Sequence, residues 1–135
     1  MSSLERNLRL CVLVDLDSAG RLDVLEQARR AVAGGATAIQ LRGKTASARY
    51  LVEAGYRLKV FCRTEGVLFI VNDRLDVALA CDADGVHLGQ SDLPVREARA
   101  IAPHSFVIGA SAHSAGEARK AVSYTHLTLP TNREV

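Results

Sequence analysis

Short apolar runs alternate with amphipathic stretches along most of this chain. Residues 8–14 form a β-rich run ending at Asp15, and 17–20 read as a turn. Residues 22–33 place Leu22, Leu25, Ala28 and Val32 at helical spacing until Gly34-Gly35 stops them. A second apolar run covers 36–42. A long helix follows over 45–63, with Leu51, Ala54, Leu58 and Phe61 on one side. The third strand spans 67–71 and is closed by Asn72-Asp73-Arg74, with a short helix over 75–81. The fourth strand is 85–88. Pro94 then suits the first turn of a helix running to residue 102. Residues 106–110 read as a fifth strand, and 114–121 begin a fifth helix.

Nearly continuous apolar strands alternating with helices predict parallel βαβ units. Five such units fit two architectures: an open doubly wound sheet, or the first part of a (βα)8 TIM barrel. A whole barrel takes at least ~200 residues, and the chain has 135. Residues 122–135 break the pattern with β-branched residues and Pro130, and show neither a helical period nor a sixth-strand pattern. Their wording is similar to a translated sequencing adapter. The expected division is therefore a partial barrel over 1–121 and a non-native tail over 122–135.

The bulk numbers narrow the class. Hydrophobic residues make up 48% and charged residues 24%, which predicts a globular domain. A net charge of +2 and 4% aromatics argue against a nucleic-acid partner. No apolar run approaches the ~18 residues of a membrane span, and residues 1–6 lack a signal-peptide core. Cys11, Cys62 and Cys81 show no metal-ligand spacing and read as buried thiols in a reducing compartment. The expected location is cytoplasmic.

Functional groups in parallel α/β proteins sit where strands end. Strand parity puts Gln40 and Arg42 on one face of the second strand and Ile39 and Leu41 on the other. Gln40 and Arg42 would look into a barrel near its mouth, with Lys44 just beyond, which suits phosphate. Asp73 and Asp92 leave consecutive strands. They carry two compatible readings: N-caps of the following helices, or a pair of carboxylates for Mg²⁺. His87 reads as a hydrogen-bonded core histidine, although its flanking glycines leave room for a ligand. Ser111 and His113 end the fifth strand without an acid partner, so Ser111 suits phosphate donation better than nucleophilic attack.

Four segments together resemble the thiamine phosphate synthase family. They are Gln40-Leu41-Arg42-Gly43-Lys44, Val71-Asn72-Asp73-Arg74, the run from Asp84 to Asp92, and Gly109-Ala110-Ser111-Ala112-His113. The resemblance spans about residues 8–121. It implies a (βα)8 barrel that joins a pyrimidine methyl diphosphate to a thiazole phosphate and releases pyrophosphate with Mg²⁺. It assigns Gln40, Leu41, Arg42, Gly43, Lys44, Asn72 and Ser111 to the pyrimidine diphosphate, with Arg42 and Lys44 as catalytic cations. Asp73 and Asp92 become the Mg²⁺ ligands. The implied reaction passes through a pyrimidine carbocation, so Arg, Lys and Mg²⁺ stabilise the leaving group and no general base is needed for bond formation.

The family's Thr-rich loop with a lysine and its Gly-rich thiazole-phosphate loops are missing from this sequence, and the first strand exit, Asp15-Leu16-Asp17, is unusually acidic. The chain alone is expected to be inactive and to self-associate through open barrel edges. Two alternatives remain. One is a thiazole tautomerase of the same barrel, disfavoured by Gln40 and Asp92. The other is a receiver-like (βα)5 signalling domain, disfavoured because the fifth strand ends in Ser111 and His113 rather than a lysine.

Overall fold

In the computed structural model, residues 2–17, 22–125 and 127–130 are described, the last four by backbone alone. Among these residues the order is α1 (Ser3–Asn7), β1 (Cys11–Asp15), α2 (Val24–Ala33), β2 (Ala38–Arg42), α3 (Ala48–Glu65), β3 (Leu68–Asn72) and α4 (Leu75–Ala80). Then come β4 (Gly85–Leu88), α5 (Val95–Ile101), β5 (Val107–Ala112), α6 (Ala115–Val122) and β6 (Leu127–Pro130). The alternation predicted from hydrophobic pattern is therefore present, with boundaries shifted by a few residues. The short α1, held by a Ser2/Glu5 capping box, was not predicted.

All strand pairs are parallel and the sheet order is β1-β2-β3-β4-β5-β6. A doubly wound sheet reverses its strand order at a switch point. The strictly sequential order here has no reversal, so the receiver-like alternative is set aside. Winding in one direction is the barrel path.

The sixth strand is a correction. Leu127–Pro130 pairs with β5, with Leu127 opposite Gly109 and Pro130 opposite Ala112. The alternation of leucine and threonine over 127–129 suits a pleated ribbon, and the crossover through α6 delivers it to the free edge of β5. Val122 likewise belongs to α6 rather than to an irregular tail.

The core lies between the sheet and its helices. Val14, Ile39, Leu41, Phe69, Val71, Val86 and Ile108 point outward from the sheet and are fully buried there. The opposite face carries one layer of paired positions: Leu13, Gln40, Ile70, Gly85 and Val107. Gly85 in this layer is required, because a Cβ there would drive into the Val107 carbonyl. Leu13 is 50% exposed on this inward face at the β1 edge.

Local chemistry sets the helix ends. Ser47 caps α3 by accepting from the Tyr50 amide, and Gly66 ends it with φ of 68°. Asp23 caps α2 and also takes a two-pronged contact from Arg57, tying α2 to α3. At the opposite end of the sheet from the mouth, Asp84 accepts from the Phe69 amide at 2.8 Å and meets Lys59 at 3.5 Å. Asp84 thus pins the start of β4. Cys62 and Cys81 are buried free thiols, with Cys62 pushed up to about 12 mainly by burial. Cys11 departs from the expectation of burial: it is only partly covered, on the inward face.

Candidate active site

The C-terminal strand ends of β1 to β5 form the mouth. Arg42, the last residue of β2, is one-third exposed and meets Asp15 across the strand pair at 2.8 Å. Lys44, two residues on, reaches Asp73 at 3.0 Å. Asp73 sits in the left-handed region, with φ of 67°, and its amide donates to the His87 carbonyl at 2.8 Å. This conformation is uncommon outside glycine and turns the β3 exit sharply toward β4.

Asp92 closes the group. Its Oδ2 accepts from the Gly89 amide at 2.7 Å, which folds the loop after β4 back on itself. Burial raises its pKa, and the carboxyl of Asp73 within hydrogen-bond reach raises it further, against the Gly89 amide and Lys44. Two carboxylates from consecutive strands thus face each other with one lysine between them and the β2 exit.

The capping readings of these acids are corrected. The N-cap of α4 is Arg74 and that of α5 is Pro94, and neither helix has a side-chain cap bond. Asp73 and Asp92 instead turn toward the mouth. A facing carboxylate pair in which Asp92 is raised fits a divalent cation, which would remove the repulsion. Among the described residues no cluster of three or more metal-binding side chains occurs. Mg²⁺ commonly uses one or two carboxylates and completes its shell with water and phosphate, so two suffice.

Below the mouth, Gln40 and His87 are the two buried polar side chains among the described residues. Burial lowers the His87 pKa, opposed by Asp73, so the ring is neutral near pH 7. Its Nε2 lies 2.9 Å from the Ser111 hydroxyl. The ring rests on Gly109, where a Cβ would meet Nδ1 at 2.5 Å. The room expected beside Gly85 is filled by Val107, so the glycine that accommodates the ring lies on the neighbouring strand. A cavity of about 90 Å³ opens along this layer, lined among others by Cys11, Leu13, Gln40, Ile70, His87 and Gly109.

The remaining candidates divide. Asn72 ends β3 beside His87 in register and is partly exposed at the mouth. Leu41 is fully buried on the helix side, so its side chain does not reach the mouth. Gly43 is enclosed by Leu51, Ala46 and Leu16, so only its backbone is offered. His113 is exposed, and its amide donates to Glu117 at 2.6 Å. The histidine that meets Ser111 is His87. Gln90, which was not assigned a role, donates to the Ser111 carbonyl at 2.6 Å and braces the β5 exit. Spacing alone could not reveal this, because 21 residues separate the partners.

A sequentially wound parallel sheet with its polar groups gathered at the C-terminal strand ends is the arrangement of a β/α barrel. Residues 10–126 match the family described as thiamine monophosphate synthase, and the chain belongs to that family. It is 49% identical over 118 residues to the thiamine-phosphate synthase of Coprothermobacter proteolyticus, covering 87% of this chain and 56% of that protein. Against the same-named protein of Chlorobium luteolum it is 54% identical over 112 residues, covering 83% and 51%. The solved structure of thiamine phosphate pyrophosphorylase from Pyrococcus furiosus superposes with a TM-score of 0.86 at 41% identity, covering 96% of this chain and 62% of that one. The chain thus spans about half the length of the curated relatives it matches. The two curated relatives carry the synthase name, and the tautomerase alternative finds no support among them.

Proposed function

We propose that this chain supplies the pyrimidine-diphosphate half of a thiamine phosphate synthase site, the reaction being the joining of a pyrimidine methyl diphosphate to a thiazole phosphate with release of pyrophosphate. The observation that carries this reading is the convergence of Lys44 with Asp73 and Asp92 at one mouth, beside Arg42. Arg42 and Lys44 hold the diphosphate and stabilise charge growing on the leaving pyrophosphate. Asp73 and Asp92 hold Mg²⁺, which neutralises diphosphate charge when bound. Gln40, Asn72 and Ser111 line the inward face beneath and orient the pyrimidine, with the backbone of Leu41 and Gly43 shaping the β2 exit. The neutral His87 ring fixes the Ser111 hydroxyl through their 2.9 Å contact. The thiazole nitrogen is itself the nucleophile, so the chain needs no base for bond formation.

Calorimetric titration of the pyrimidine diphosphate in Mg²⁺ tests the reading. Arg42→Ala and Lys44→Ala should each weaken binding roughly tenfold, the loss of one charge-assisted contact. Equal binding by both variants would overturn it. The 135-residue chain should bind this substrate without turning it over, since the loops expected for the thiazole phosphate are not in it. Robust condensation by the purified chain would refute that. Residues 122–135 are proposed as non-native despite the β6 pairing, and re-reading the source DNA past the codon for Ala121 decides it. We place the enzyme in the cytoplasm, in keeping with three free cysteines. No helix among the described residues is long and apolar enough to cross a membrane.

A further inference from the structure

Two anion-holding groups lie side by side at the β2 exit, and one short segment places a carboxylate on each. Asp15 Oδ2 accepts from Arg42 Nη1 at 2.8 Å, while its Oδ1 accepts from the Asp17 amide at 2.9 Å. Asp17 Oδ2 accepts from the Thr45 amide at 3.0 Å. This amide is the main group that holds the carboxylate below the usual range, against burial, with smaller contributions from the Thr45 hydroxyl and the Lys44 and Ala46 amides. A backbone N–H aimed at an oxyanion is an anion-holding donor of the kind phosphate sites use. The β2 exit therefore offers a guanidinium, Arg42, and a backbone N–H donor, Thr45, three residues apart. Two linked anionic groups fill them, in the pattern a diphosphate would present.

The delivery is fixed but the grip is weak. Gln27 of α2 holds both backbone groups of Asp15, accepting from its amide at 3.0 Å and donating to its carbonyl at 3.1 Å. The side chains themselves are accessible: Asp15 is 30% exposed and Arg42 34%. Exposed ion pairs of this kind contribute little, whereas guanidinium and amide contacts to a multiply charged phosphate are stronger. The mouth also carries more acid than base, with Asp15, Asp17, Asp73 and Asp92 set against Arg42 and Lys44.

We propose that Asp15 and Asp17 act as an internal competitor for the diphosphate, occupying the Arg42 guanidinium and the Thr45 amide, and so set the affinity of this half-site. The inference rests on the reading of Arg42 and Lys44 as the diphosphate holders. Ligand entry then exchanges two carboxylates for two phosphoryl groups, with Gln27 keeping the β1 exit in place throughout.

Inorganic pyrophosphate in the presence of Mg²⁺ is the probe, titrated calorimetrically into the 135-residue chain. The D15N/D17N variant should bind roughly tenfold more tightly, because amides compete poorly for a guanidinium. Equal or weaker binding by that variant would overturn the proposal. Equal binding by R42A and K44A would instead sink the parent reading. Amide resonances of the unaltered chain give a second measurement that does not depend on variants folding. Pyrophosphate should shift the Thr45 amide as Asp17 is displaced, and a Thr45 amide that stays in place during saturable binding would refute the exchange.

Discussion

Asp92 shows how one residue can cost stability to keep a site. Burial and the Asp73 carboxyl raise its pKa, so the folded chain disfavours its ionised form. A raised carboxyl contributes fully below its unfolded pKa and loses that contribution as pH rises through the folded value. Above that folded value Asp92→Asn should stabilise the metal-free chain by ~0.5 kcal/mol, a small figure because the carboxyl is partly solvated. Denaturant melts at pH 7 and pH 3 check this, with the advantage expected at the higher pH alone. If Asp73 and Asp92 hold Mg²⁺ as proposed, added Mg²⁺ should stabilise the unaltered chain and not this variant. Ser111→Ala tests the partner histidine. It leaves Nε2 of the buried His87 without its 2.9 Å partner and should cost ~1 kcal/mol in the same melts.

At the scale of elements, strand parity was legible from sequence because a pleated ribbon alternates every residue. Gln40 faces inward and Ile39 and Leu41 face the helices, as the apolar pattern of β2 requires. The N-caps were less legible. An acid just before a helix reads as a cap, yet Asp73 adopts a left-handed turn and Asp92 folds back to Gly89. Both departures follow from loop geometry set by the neighbouring strand. The contact between β4 and β5 is equally demanding. Gly85→Ala would force a methyl into the Val107 carbonyl, backbone that cannot rotate away, and should destabilise by ~2 kcal/mol or more. An unchanged thermal midpoint would show that the strands separate more easily than this packing implies.

For the whole molecule, the sequential sheet presents two edges, β1 and β6, among the described residues. Leu10 and Leu13 are about half exposed at the β1 side, where an apolar inward layer meets solvent. Such a surface favours association. Sedimentation velocity should show concentration-dependent species for the 135-residue chain, and Leu13→Ser should shift them toward monomer. Monomer at every concentration for both proteins would refute this.

Alternation of strand and helix, the inward parity of Gln40 and Arg42, and the polar character of each strand exit were all determined by sequence. Each depends on spacing within a few residues. Tertiary structure alone decided which exits meet. Lys44 finds Asp73, Arg42 finds Asp15, and Ser111 finds His87 rather than the nearer His113. Those pairings depend on parallel register and on the crossover path between strands, which no local pattern encodes. The sixth strand has the same cause: the Leu/Thr alternation over 127–129 is too short to mark a strand until the free edge of β5 supplies hydrogen-bond partners for its backbone.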